Sequence, residues 1–194
     1  HYVHIPPDRS GVLQELTSPK AWRAIMKLAG IYVFVAFFWS LYDQTASAWV
    51  LQAQHMNRVW MGVEWLPSQI QAVNPVLIML FIPLFTYAVY PLLNKIVPMT
   101  ALRKMAMGFF MAVGAFLISA YIEQQIGVGI EPALAWQLLA FVVITAAEVM
   151  VSITCLEFSY TQAPLKLKSL MMGLFLLSVS LGNGFTAFVN HWIQ

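Results

Sequence analysis

The chain has 194 residues, 60% of them hydrophobic and 9% charged, with a net charge of +2 and a mean hydropathy of +0.74. Soluble domains average about 25% charged residues, so this composition excludes an ordinary soluble domain and reads as a membrane protein. The net charge is too small to suggest a nucleic-acid partner, and the single cysteine, Cys155, excludes a disulfide framework and reads as a small packing residue.

A helical crossing of the hydrocarbon core takes about 20 apolar residues, and five such runs are predicted, at about 28–51, 70–93, 105–122, 134–156 and 170–192. The first 17 residues mix Pro6, Pro7, Asp8, Arg9, Gly11 and Glu15 and read as an irregular polar lead-in. The rest, 18–194, reads as one helical bundle. The chain begins at His1 rather than Met, which predicts a piece of something longer. Ser18-Pro19 is a helix start signal, and Lys20, Trp22, Arg23 and Lys27 form a basic and aromatic collar of the kind found at a membrane interface.

The first crossing is interrupted by Asp43 and Gln44. Residues 54–68 read as a polar connection. In the second crossing, Asn74-Pro75 and Pro83 predict kinks. Thr100 is the expected cap of the third, whose Gly108, Ala112, Ala115 and Ser119 let helix backbones approach closely. The fourth holds Glu148 and is predicted to end in a polar turn over 157–169. The fifth again carries small residues, at Gly173, Ser178 and Gly182.

If the His1 end is cytoplasmic, five crossings place Arg9, Lys20, Arg23, Lys27, Lys95, Arg103, Lys104, Lys166 and Lys168 inside and only Arg58 outside. The positive-inside rule favours that orientation.

Of the eight acidic residues, only Asp43 and Glu148 fall well within a crossing, and no crossing contains a Lys or Arg. A mid-membrane charge costs roughly 2.5 to 3.5 kcal/mol on insertion scales. Each of these two acids therefore needs a ligand, a proton or further protein as its partner; the alternative is a pair of protonated carboxyls hydrogen-bonded between helices. A carboxylate facing a cavity alternates between binding a proton and binding a cationic group, which is what a proton-coupled carrier needs. Ser152, four residues past Glu148, shares its face, and Trp39 and Ser47 flank Asp43 in the same way. Helix rise puts Asp43 in the outer part of its crossing and Glu148 toward the inner part of its own, which suits opposite gates. His1, His4, His55 and His191 lack metal-ligand spacing, no metal site is expected, and no nucleophile elbow, phosphate loop or zinc-protease motif occurs, so no enzyme is expected.

Five motifs carry a resemblance. They are Phe38-Trp-Ser-Leu-Tyr-Asp-Gln44, Val73-Asn-Pro-Val-Leu-Ile78 with Ile82-Pro-Leu-Phe85, Met99-Thr-Ala-Leu-Arg-Lys-Met105, Glu157-Phe-Ser-Tyr-Thr-Gln-Ala-Pro164 with Lys168-Ser169, and Gly182-Asn183. In that order they resemble the proton-dependent oligopeptide transporter (POT) family of the major facilitator superfamily, over its seventh to eleventh transmembrane helices. The resemblance implies an all-α membrane protein, a five-helix part of a twelve-or-more-helix transporter completed by an N-terminal half. It also implies proton-coupled symport of di- and tripeptides across the cytoplasmic (inner) membrane by alternating access, with the proton as coupling ion and no cofactor.

By the same resemblance, Glu148 holds the peptide amino terminus, with Ser152 and Asn74 as its hydrogen-bonding companions. Asp43 pairs with a first-half basic residue in the outer gate and takes part in proton coupling, and Trp39 lines the pocket near that gate. Phe175 stands where many members have Trp, keeping an aromatic wall without the indole donor, and Thr86 stands where some have Asp. Alternatives are a proton-coupled carrier of nitrate or a modified metabolite, and a membrane scaffold or receptor that does not transport.

Overall fold

The computed structural model describes residues 18–193; the predicted lead-in over 1–17, with His1 and His4, lies outside the described residues. Among the described residues, five helical spans are long and apolar enough to cross a membrane: Trp22–Gln54, Pro67–Asn94, Ala101–Gly127, Leu134–Gln162 and Leu165–Trp192. The protein is an all-α multi-pass membrane protein.

In the first span, helix α1 (Pro19–Asp43) starts at the proline, whose missing N–H costs nothing in a first turn. It stops at Asp43, followed by a 3-10 turn over Gln44–Ala46 and then α2 (Ala48–Gln54). Ser47 accounts for the break: its hydroxyl donates toward Gln44 Oε1 at 3.0 Å and Asp43 O at 3.3 Å, competing with the backbone ladder. The connection after it is more ordered than its polar composition suggests. Strands β1 (Val59–Trp60) and β2 (Val63–Glu64) pair across Met61 and Gly62, both at positive φ, as a tight hairpin turn demands. The Arg58–Glu64 ion pair, 3.2 Å, closes its base.

The second span opens with a 3-10 segment, Pro67–Ala72, and continues into α3 (Val73–Leu84). The kink expected at Asn74-Pro75 takes the form of this change in helix type, because Pro75 lies in the first turn of α3, where its missing N–H leaves no intrahelical bond broken. Pro83, inside the helix, does disturb the ladder: a π turn over Phe85–Val89 separates α3 from α4 (Tyr90–Asn94).

Thr100 caps α5 (Ala101–Gly127), its Oγ accepting the Arg103 N–H at 3.4 Å. The helix outruns the predicted 105–122 at both ends, since Leu102, Arg103 and Lys104, and Glu123, Gln124 and Gln125, are good helix formers. An apolar run marks hydrocarbon thickness, not helix length. Gly108, Ala112, Ala115 and Ser119 are all buried, and a Cβ on Gly108 would lie 2.6 Å from Val151 Cγ2.

The fourth span consists of α6 (Leu134–Glu148), a π turn over Val149–Ile153 and α7 (Thr154–Gln162). The predicted turn over 157–169 is corrected here: helix continues to Gln162, and the chain turns only at Ala163, extended at ψ 135° because it precedes Pro164. A 3-10 turn, Leu165–Leu167, leads into α8 (Lys168–Ile193). Along the α1–α8 contact, a Cβ on Gly182 would overlap the Ala36 carbonyl, and Ser178 is buried; Gly173 faces open space and takes no part in close packing.

The fourth span is the hub. Of its most apolar window 61% is buried, against 28% or less in each of the others. Polar ties fasten its neighbours. Gln137 Nε2 donates to the Trp49 carbonyl at 2.8 Å, Gln52 Nε2 donates to Glu123 Oε2 at 2.9 Å, and Thr186 Oγ1 donates to the Ser40 carbonyl at 2.7 Å.

Candidate functional site

Glu148 is the last residue of α6, and the π turn begins directly after it. Such turns are single-turn bulges in which one i→i+4 bond gives way to i→i+5, frequent at functional sites. With the span now reaching Gln162, Glu148 stands at the middle of Leu134–Gln162 rather than toward its inner end.

Three spans converge on its carboxylate. Asn74, 7% exposed at the start of α3, donates its Nδ2 to Glu148 Oε2 at 2.9 Å and also lies 3.0 Å from Thr145 Oγ1. Thr145, one turn before Glu148, is fully buried and holds the Asn74 amide against α6. From α1, the Tyr42 phenol sits beside the same carboxylate. An ionised carboxylate has about four lone-pair sites, so an amide and a phenol leave acceptor capacity free. Among the described residues no cation lies within ion-pair distance of Glu148.

The aromatic wall follows from α1. Trp39 and Tyr42 are one turn apart on the helix and meet edge to face at 5.2 Å, and Phe38 backs both, at 6.0 and 6.1 Å. Trp39 Nε1 is buried without a hydrogen-bond partner among the described residues, and so is Ser152 Oγ in the π turn. Buried polar atoms are ordinarily satisfied; two such atoms on the elements that carry Tyr42 and Glu148 are consistent with a polar ligand bound between them.

Asp43 is half-buried, and no hydrogen bond or ion pair among the described residues reaches its carboxylate. Ser47 meets its backbone carbonyl, not its side chain. Asp43 directly follows Tyr42 in α1, but only the Tyr42 phenol sits beside the Glu148 carboxylate. Phe175 is placed differently from the other sequence candidates: it is 5% exposed and packs edge to face on Tyr32 at 6.3 Å, inside the α1–α8 contact. Glu148, Asn74, Tyr42 and Trp39 are therefore brought together, with Ser152 one turn along.

Tyr42 and Thr145 are the members that sequence reasoning missed. Tyr42 lies inside the first of the quoted motifs, Phe38 to Gln44, directly before Asp43. Thr145 is three residues before Glu148, a helical neighbour by spacing, and that signal was available.

A family model described as POT family matches residues 8–194. The chain is 42% identical over 105 residues to Peptide transporter family 1 of Caenorhabditis elegans, covering 54% of this chain and 13% of that protein. It is 36% identical over 135 residues to Solute carrier family 15 member 2 of Rattus norvegicus, covering 69% of this chain and 18% of that protein. Among solved structures, the in meso crystal structure of the POT family transporter PepTSo superposes with a TM-score of 0.83 at 34% identity, over 94% of this chain and 37% of that one. An auto-inhibited POT family peptide transporter gives 0.82 at 35% identity, over 92% and 36%. The chain thus spans less than a fifth of these curated relatives and little more than a third of the crystallised ones.

Proposed function

The chain belongs to the POT family, and from that premise we propose that it is the C-terminal part of a proton-coupled symporter of di- and tripeptides in the cytoplasmic (inner) membrane. The observation that carries the reading is the Glu148 carboxylate, held at mid-span by Asn74 and Tyr42 with no cation beside it among the described residues. Its missing countercharge is supplied in turn by a peptide ammonium and by a proton.

The geometry supports definite tasks for each group. Asn74, itself anchored by Thr145, fixes one carboxylate oxygen and leaves lone pairs on the other for the incoming ammonium. Trp39 and Ser152 offer the unmatched donors Nε1 and Oγ to acceptors of the peptide. Protonation neutralises the acids before the empty carrier returns, which avoids carrying a bare charge through the membrane. Asp43 answers to a basic residue of the N-terminal half, across which the carrier rocks in alternating access. A proton descending 100 mV releases about 2.3 kcal/mol. At 1.4 kcal/mol per factor of ten, that sustains an accumulation of some tens-fold.

The excess of Lys and Arg on one side of the predicted crossings supports a cytoplasmic His1 end. A carrier of an anion such as nitrate is disfavoured by a carboxylate in the site, and a scaffold leaves the two intramembrane acids unexplained.

Uptake of radiolabelled dipeptide by the full-length protein in liposomes, driven by an inward proton gradient, tests the reading. Asp43→Asn and Glu148→Gln are each expected to abolish concentrative uptake, and Glu148→Gln also to weaken peptide binding. Concentrative uptake that survives in both variants, or saturation by nitrate without peptide competition, refutes it.

A further inference from the structure

A cavity with both apolar and charged lining lies beyond Glu148 along the fourth span. It measures about 500 Å³ and lies between α3, the π turn and α4 of the second span on one side and the second half of the fourth span on the other, with Lys104 from the start of α5. Its walls are apolar where Ile82, Val149 and Ile153 contribute. Its lining includes one ammonium, Lys104, and one carboxylate, Glu157. Opposite charges in one cavity normally close on each other. Here neither is within ion-pair distance of an opposite charge among the described residues. Lys104 instead rests on the face of Tyr90, 4.1 Å from the ring centroid, a cation–π contact that keeps it in place without neutralising it.

A cavity presenting an unpaired cation and an unpaired anion is complementary to a molecule carrying both. We infer that it binds a small zwitterion end to end, carboxylate on Lys104 and ammonium on Glu157, as a second and weaker peptide site beyond the central one. The identity of the zwitterion rests on the peptide reading proposed above. Size agrees. The cavity volume, about 500 Å³, lies within the range typical of small-molecule sites. Position agrees as well. Val149, directly after Glu148, lines it, and Glu157 lies nine residues on, roughly 13 Å along the helix. A peptide released by Glu148 therefore meets a second carboxylate on the same helix. Because both charges are single and partly hydrated, the site holds its ligand more weakly than a mid-membrane carboxylate does, which suits a waystation rather than a trap.

An ethanolamine phospholipid headgroup carries the same pair of charges, so the experiment separates the two sources. Equilibrium binding of radiolabelled alanyl-alanine is measured on the full-length protein in phosphatidylcholine nanodiscs. Two phases are expected for the wild type, with only the weaker surviving in Glu148→Gln. Adding Lys104→Ala or Glu157→Gln to that variant is expected to weaken the remaining phase at least tenfold. Both residues are at the membrane end of their helices, and Glu157 is exposed, so folding is retained and is checked by the unchanged strong phase in the single variants Lys104→Ala and Glu157→Gln. In nanodiscs containing phosphatidylethanolamine, an unchanged weak phase identifies peptide as occupant; its suppression identifies the headgroup and upholds the zwitterion assignment. A single phase that Glu148→Gln removes completely, or a weak phase indifferent to Lys104 and Glu157, overturns the inference. Loss of the strong phase with the weak one intact counts instead against the central-site function.

Discussion

Replacing Asn74 by alanine removes the one amide that both positions and hydrogen-bonds Glu148. In the structure its Nδ2 lies 2.9 Å from Glu148 Oε2 and 3.0 Å from Thr145 Oγ1, with the side chain 7% exposed. A hydrogen bond to a charged group contributes about 1.5 to 3 kcal/mol, and 1.4 kcal/mol is a factor of ten. If that bond holds the carboxylate in its ligand-binding orientation, Asn74→Ala weakens dipeptide binding by about ten-fold to one hundred-fold. Thr145→Val loses only the neutral partner of the amide, about 0.5 to 1.5 kcal/mol, and weakens binding by about ten-fold or less. Because both act through the Glu148 carboxylate, the double variant is expected to be no worse than Asn74→Ala alone, a non-additive cycle. The assay is equilibrium binding of a labelled dipeptide to the full-length protein, with thermal unfolding in detergent as a folding control. Wild-type affinity in Asn74→Ala, with unchanged thermal stability, refutes the reasoning; so does full additivity of the two substitutions.

Three further outcomes follow from packing and buried polarity. Gly182→Ala forces α1 away from α8, because the new methyl overlaps the Ala36 backbone carbonyl; overpacking of this kind costs about 1 to 3 kcal/mol, read as a lower melting temperature, whereas Gly173→Ala, which meets open space, leaves it unchanged or slightly raised. Gln137→Leu strips the Trp49 carbonyl of its 2.8 Å donor at a site 1% exposed, and a loss of about 1 to 3 kcal/mol is expected in denaturant or thermal unfolding. Trp39→Phe keeps the ring that meets Tyr42 at 5.2 Å and deletes the buried Nε1 that has no partner. Its stability is expected to hold or rise while peptide binding weakens; unchanged binding with lowered stability refutes a ligand-facing indole.

Small residues at helical spacing in 105–122 foretold a close helix contact, and Gly108 makes one with Val151. The same signal misled at Gly173, since small size permits close approach without requiring it. Asp43 ended its helix as its polarity suggested, while the end of the fourth span was misplaced because Glu157 to Gln162 are polar and yet helical, a combination that hydropathy cannot see.

Composition and apolar run length alone determined that this is a membrane protein with five membrane-length helical spans among the described residues, because hydrocarbon accepts backbone only in helices of sufficient length. They also exposed Asp43 and Glu148, because a carboxylate in an apolar run is conspicuous and costly. Only the tertiary structure decided what those acids meet. Asn74, Thr145 and Tyr42 come from three different spans, and nothing in a one-dimensional period records which faces of separate helices turn toward one another. Phe175 makes the same point from the other side: its aromatic character was readable, but whether it lines a cavity or fills the α1–α8 contact against Tyr32 depended on the rotation of α8, which packing alone sets.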